Sequence, residues 1–143
     1  MNTLKIAVAG IGTVGSGLLE ILFKNKTFIE KKIEKRILIS AVASRTPKKI
    51  LKKLNKSTII FDDAKKLLDF NDYDLLVELI GGEGGIAKEI IINSLNKNKS
   101  VVTANKALVA QHGIEILKIA EKKNCKIAFE AAVAGGVPVI KVL

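Results

Sequence analysis

Gly10-Ile11-Gly12-Thr13-Val14-Gly15 follows Leu4-Lys5-Ile6-Ala7-Val8-Ala9 and leads into Ser16-Gly17-Leu18-Leu19-Glu20-Ile21-Leu22. The middle stretch has the pattern G-x-G-x-x-G. The stretch before it is a short apolar run, as in a buried strand. The stretch after it has apolar residues at helical spacing. A strand, a glycine turn and a helix in that order form the fingerprint of a dinucleotide-binding unit. Gly10 permits the tight turn, Gly12 lets backbone approach a pyrophosphate, and Gly15 lets the helix pack close to the strand. The free N–H groups of the first helical turn, at Thr13, Val14 and Gly15, then face the phosphates. The alternative is a strand–helix turn with packing glycines and no ligand.

Working outward, strand and helix patterns alternate to the end of the chain. Strands are predicted at residues 4–9, 37–43, 58–61, 74–80, 100–103 and 126–129. Helices are predicted at residues 14–23, from Thr46-Pro47 onward, up to Leu68 with Asp62 or Asp63 as cap, at 86–96 and at 106–123. The last is expected to break near His112-Gly113, and the polar stretch 25–34 to lengthen the first connection. Near-continuous apolar strands alternating with helices indicate an α/β, Rossmann-like, doubly wound parallel sheet with helices on both faces and right-handed crossovers. Ligands of such sheets bind outside the carboxyl ends of the strands. Here those ends carry Gly10–Gly15, Ser44-Arg45, Gly81–Gly85 and Thr103-Ala104-Asn105-Lys106. They are expected to line one crevice.

The chain has 143 residues, 48% of them hydrophobic, enough for one real core. No apolar run reaches membrane-spanning length, and the chain enters a strand at once, so neither a membrane partner nor a leader is expected. Cys125 is the single cysteine, which excludes an internal disulfide and a cysteine metal cage; it reads as a small core residue. A cytoplasmic location follows as the default. The net charge is +10, but the lysines are scattered and no aromatics interleave with them to stack bases. A solvated lysine-rich surface is favoured over a nucleic-acid surface.

NAD-specific sites place an acid at the end of the second strand, on the ribose hydroxyls. Here that strand ends Ala43-Ser44-Arg45-Thr46. Arg45 offers a forked charge to a 2′-phosphate and Ser44 a hydroxyl. NADP(H) is therefore favoured over NAD(H), the alternative being that Arg45 is a solvated loop residue.

Two later segments sharpen the reading. Val101-Val102-Thr103-Ala104-Asn105-Lys106-Ala107-Leu108 and Phe129-Glu130-Ala131-Ala132-Val133-Ala134-Gly135-Gly136-Val137-Pro138 resemble homoserine dehydrogenase, as do Glu78-Leu79-Ile80-Gly81-Gly82 and the opening glycine motif. The second glycine pair of the Gly81–Gly85 loop departs from the family pattern. The resemblance implies reduction of aspartate 4-semialdehyde to homoserine with NADPH or NADH, on the route to threonine and methionine. It implies that Gly10, Gly12, Thr13, Val14, Gly15, Ser44, Arg45, Gly81, Thr103 and Lys106 contact the cofactor. It also places Lys106 beside nicotinamide and substrate, assisting catalysis by polarising the carbonyl. Glu130, Val133, Gly135 and Val137 match positions that hold a monovalent cation, typically sodium. By residue type alone, Glu130 is equally a helix cap or a buried ion-pair partner. The family enzyme is longer, a homodimer whose following domain carries the main catalytic lysine and the substrate-binding acids. Residues 1–130 are thus expected to be the cofactor domain and 131–143 the start of the connection to that substrate domain. The competing expectation is a nucleotide-binding regulatory module without turnover.

Overall fold

The computed structural model describes residues 2–46 and 52–133. Strands β1 (Thr3–Ala9), β2 (Arg36–Ala43), β3 (Ile59–Phe61), β4 (Leu75–Glu78), β5 (Ser100–Thr103) and β6 (Ile127–Ala128) form one sheet. Its order is β3-β2-β1-β4-β5-β6, and every pair is parallel. The chain runs outward one way from β1 to β3, returns, and runs the other way from β4 to β6. The reversal leaves a crevice between the ends of β1 and β4.

Helices cover both faces, and each has its own core. Helix α1 (Thr13–Ile33) lays Leu19 against Ile6, Val8, Ile37, Ile39, Val42 and Val77. Helices α2 (Gly85–Asn96) and α3 (Lys106–Lys122) pack Ile90, Ile91, Leu95, Leu108 and Ile116 on the other face, over Ala7, Ala9, Ala41 and Ala43. Each fully buried Leu or Ile stabilises the fold by about 1.5–3 kcal/mol. The small alanines of β1 and β2 let the second layer sit close. A bulge sets this division in β2: Ile6 pairs with Ile39, but Ala7 pairs with Ala41. Ser40 is the extra residue, and its hydroxyl donates to the Ile6 carbonyl at 3.3 Å. Without that shift, Ala41 and Ala43 would change faces with Val42.

Several expected boundaries change. Helix α1 does not stop at Phe23 but runs on to Ile33, 21 residues in all, absorbing most of the stretch expected to be a loop. No glycine or proline interrupts residues 24–33, and Leu22, Phe23 and Ile29 continue the face that packs on the sheet. The helix ends where Glu34 turns left-handed (φ 55°) and donates its N–H to the Glu30 carbonyl. Helix α3 runs unbroken through His112-Gly113. One interior glycine costs about 1 kcal/mol, less than the burial of Leu108, Ile116 and Ala120 returns. Asp63, rather than Asp62, is the cap; it accepts from Lys65 N and opens a 3-10 turn, Ala64–Leu68, in place of an α-helix. The helix expected from Pro47 falls largely on residues 47–51, outside the described residues. Cys125 lies half-buried against the core, as expected. Tyr73 is buried beneath Phe70; burial pushes its phenol above the usual range, partly offset by the hydrogen bond with Ser94. Among the described residues no helix is long and apolar enough to cross a membrane.

Two contacts fix the ends of the central strands. A Cβ on Gly15 would collide with the Gly10 carbonyl oxygen, and one on Gly10 (φ +97°) would lie 2.7 Å from the Leu79 carbonyl oxygen. Strand β4 stops short of its expected end at Ile80 because its backbone donors are diverted. Leu79 N still donates to Ala9 O at 2.7 Å. Ile80 N and Gly81 N donate instead to Oε1 of Glu78, at 2.7 and 3.3 Å. Glu78 Oε2 accepts from Thr103 Oγ1 at 2.5 Å, and Thr103 Oγ1 accepts from Asn105 N at 3.1 Å. Glu78 and Thr103 both have no exposure. One buried carboxyl group therefore joins the ends of β4 and β5.

Both contacts predict stability losses measurable by denaturant unfolding. Gly15→Ala is expected to cost about 2–3 kcal/mol, because the obstacle is backbone and cannot rotate away. Glu78→Ala leaves the buried Thr103 hydroxyl and the backbone N–H groups of Ile80 and Gly81 without that acceptor and is expected to cost about 2–4 kcal/mol. Glu78→Gln should cost less, since its amide oxygen can still accept from Ile80 and Gly81. Unfolding midpoints for Gly15→Ala and Glu78→Ala that match the unmodified chain would refute the two assignments.

Candidate functional site

A cleft of about 480 Å³ opens at the carboxyl ends of β1, β2 and β4, within the usual range for small-molecule sites. Its floor is the turn Gly10, Ile11, Gly12. One wall is Ala43 to Thr46, continuing from β2. Asp63 and Ala64 extend that side after β3. The opposite wall is Leu79 and Ile80 after β4, with Ile86 from the first turn of α2. Gly10 N donates to Ala43 O at 3.0 Å and Ser44 N to Phe61 O at 2.8 Å. The floor, the β2 wall and the end of β3 are thus tied to one another.

The helix starts differ in a way that bears on charge. Helix α1 starts at Gly12 and α2 at Gly84, and neither cap residue has a side chain to satisfy the first N–H groups. Helix α3 starts at Asn105, whose Oδ1 accepts from Leu108 N at 3.1 Å. No acid lies in the first turn of any of the three. The start of α1 therefore presents unsatisfied donors and a partial positive charge at the cleft floor. At Gly12 a Cβ would meet nothing among the described residues within 4 Å. The protein's own packing does not require glycine there, which leaves open space directly over the helix start.

The expected residues divide into three groups. Gly10, Gly12, Ser44 and Arg45 line the cleft. Thr13 and Val14 are exposed beside it, Val14 at 62%, while Gly15 is buried beneath the turn. Arg45 lies exposed on the rim and pairs with no carboxylate among the described residues. The Ser44 hydroxyl already donates to the Thr46 carbonyl at 2.8 Å, so its oxygen remains as an acceptor. The second group lies beyond the cleft, along the ends of β4 and β5. Gly81 (φ +82°) is exposed and its N–H is held by Glu78. Thr103 is buried with its hydroxyl committed to Glu78 and Asn105. Lys106 is exposed as the first residue of α3. Gln111 Nε2 meets Glu83 Oε2 at 2.9 Å, tying the glycine loop to the same helix.

The third group is the expected cation site. Glu130 is exposed at the start of a 3-10 turn, Glu130–Ala132, and its carbonyl accepts from Val133 N at 3.1 Å. Among the described residues Glu130 is thus neither a buried ion-pair partner nor a side-chain cap. Gly135 and Val137 lie outside the described residues. Among the described residues no cluster of three or more His, Cys, Asp or Glu side chains is placed to hold a metal. His112 sits on α3, 3.6 Å from Glu115. Lys88, at 2.8 Å, holds the Glu115 carboxyl below the usual carboxylate range.

Sequence reasoning missed two residues at these strand ends. Glu78 stood only within a family-like stretch, although an acid ending the apolar run Leu75-Leu76-Val77 is itself a signal of a buried partner. The sequence marks Asp63 only as a candidate cap, yet it lines the cleft. The approach of β3 to the cleft is tertiary and leaves no local mark.

Comparison with known proteins agrees with this geometry. The family profile described as "Homoserine dehydrogenase, NAD binding domain" matches residues 10–130. The homoserine dehydrogenase of Neisseria gonorrhoeae is 41% identical over 143 residues, covering 100% of this chain and 32% of that protein. That of Pseudomonas aeruginosa is 40% identical with the same coverage. The crystal structure of a homoserine dehydrogenase from Thiobacillus denitrificans superposes with a TM-score of 0.86 at 37% identity, over 99% of this chain and 32% of that one. The chain spans about a third of the length of these relatives. With its glycine turn, parallel sheet and strand-end cleft, it belongs to the homoserine dehydrogenase family and corresponds to that family's NAD-binding domain.

Proposed function

We propose that this chain is the cofactor domain of an enzyme that reduces aspartate 4-semialdehyde to homoserine in the cytoplasm, with NADPH preferred over NADH. The observation that carries the cofactor reading is the uncapped start of α1 at Gly12, facing open space on the cleft floor. Gly10, Gly12 and the N–H groups of Thr13, Val14 and Gly15 would hold the pyrophosphate. Arg45, exposed on the rim without a neighbouring acid on β2, would hold the 2′-phosphate, with Ser44 as a lesser contact. Gly81 and Thr103 mark the nicotinamide end. There Glu78 fixes the backbone of both strand ends, and Thr103 acts through that network. The bound cofactor would supply a hydride to the aldehyde carbon.

The role of the chain's own residues is then positional and electrostatic. Lys106, exposed at the start of α3, would direct its ammonium at the aldehyde oxygen and stabilise charge developing there. The backbone beneath it is fixed by Thr103 and Asn105. Residues 131–143 would begin the connection to a substrate and dimerisation domain. By resemblance that domain holds the main catalytic lysine, and the parent enzyme is a homodimer. A sodium ion at Glu130, Val133, Gly135 and Val137 rests on the same resemblance alone.

Calorimetric titration of residues 1–143 is expected to give tighter binding of NADPH than of NADH. Arg45→Ala should remove most of the difference, about 1–3 kcal/mol for a charge-assisted contact. Equal affinities in the unmodified chain would overturn the preference. Gly12→Ala separates binding from packing: stability should stay within about 1 kcal/mol, while NADPH affinity falls at least about tenfold. Unchanged affinity would place the pyrophosphate elsewhere.

Turnover supplies the test of the reaction. Residues 1–143 should bind NADPH without oxidising it in the presence of aspartate 4-semialdehyde, followed by nicotinamide absorbance. In an enzyme that includes the downstream domain, Lys106→Ala should lower kcat by about 100-fold or more with little change in NADPH affinity. Steady turnover by residues 1–143 alone would show that the catalytic groups are misplaced.

A further inference from the structure

We infer that Asp63 reads the amino group of the adenine ring, making the cleft selective for adenine dinucleotides over their hypoxanthine counterparts. This inference rests on the reading that the cleft holds a dinucleotide. Two consecutive acids at the end of β3 divide the labour. Asp62 turns outward to Lys66, at 2.6 Å, and that contact holds its carboxyl below the usual range. Asp63 forms no ion pair among the described residues and lines the cleft. Its Oδ1 accepts from Lys65 N at 2.9 Å, which orients the carboxylate; among the described residues Oδ2 has no donor.

The surroundings specify what that acceptor meets. Ala43, Ala64, Ile80 and Ile86 give the cleft apolar walls on two sides, suited to the faces of a flat ring. Such walls hold any purine equally well, so discrimination between bases has to come from a polar group at the edge. Arg45 can only donate, and the Ser44 oxygen, whose hydroxyl donates to Thr46 within its own loop, is a neutral acceptor weaker than a carboxylate. Asp63 is the one carboxylate among the described lining residues. A carboxylate accepts from the exocyclic amino group of adenine. It is repelled by the carbonyl oxygen that hypoxanthine carries at the same ring position. Asp63 comes from the β3 end and Arg45 from the β2 end. The base and the 2′-phosphate are therefore recognised by different strands.

The test titrates residues 1–143 with NADPH and with reduced nicotinamide hypoxanthine dinucleotide phosphate. The unmodified chain should bind NADPH about tenfold more tightly, the effect of one charge-assisted hydrogen bond. Asp63→Asn should bring the ratio close to one, because an amide can present oxygen to adenine or nitrogen to hypoxanthine. Asp63→Ser keeps an oxygen to cap the 3-10 turn but is too short to reach the ring, and should also level the ratio. Thermal melts of both variants establish that the fold is kept, and the measurement on the unmodified chain needs no variant. Equal binding of the two dinucleotides by the unmodified chain would overturn the role of Asp63 and leave the dinucleotide reading intact. A preference that survives both substitutions would also overturn it, as would an equal loss of both ligands, the mark of a ribose contact. Failure of the unmodified chain to bind either one would overturn the dinucleotide reading and this inference together.

Discussion

Helix α1 can begin beside the end of β1 only because neither Gly10 nor Gly15 carries a Cβ. The Gly15 position lies against the Gly10 carbonyl, and the Gly10 position lies against the backbone at Leu79. Three segments thus meet backbone to backbone at one point: the turn after β1, the first turn of α1 and the end of β4. The close approach seats Leu19 in the core over Ile6 and Val8. It also leaves the unsatisfied N–H groups of α1 at the floor of the cleft. One steric constraint therefore supports both the packing of a whole sheet face and the electrostatics of the site.

A second constraint works farther along the same edge. Glu78 is a buried carboxyl with three donors around it, from Ile80, Gly81 and Thr103. Its cost in desolvation is offset by those bonds. Their effect is to hold the glycine loop and the segment before Lys106 in a fixed relation. Residues on loops gain precision when buried polar groups hold their backbone, because a flexible loop cannot present a charge at a defined point. The loop after β4 needs such support, since Gly81, Gly82 and Gly85 all adopt positive φ. The Gln111–Glu83 contact adds a second tie on its exposed side.

Charge is distributed to match. The lysines behind the net charge of +10 are scattered along the chain, whereas among the described residues the cleft holds a small set of specific groups: one arginine, one aspartate and the end of a helix. An anionic dinucleotide would meet a broad positive field during approach and local donors on arrival.

The sequence alone determined the alternation of elements, the parallel sheet and the place of the cleft. Its glycine spacing and uninterrupted apolar strands allow few other solutions. It also marked Gly10, Gly12, Ser44 and Arg45, because these follow strand ends directly. The length of α1, the continuity of α3 and the bulge at Ser40 were decided by tertiary packing. A lysine-rich stretch stays helical when its apolar face has a sheet to lie on, and a glycine is tolerated mid-helix when its neighbours are buried. The joining of Glu78 to Thr103 and the approach of Asp63 to the cleft were likewise tertiary, since residues 25 positions apart or on neighbouring strands meet only once the sheet has ordered them. Local patterns record what a residue prefers; which groups face one another across a crevice depends on strand order, and the chain sets that order only by folding.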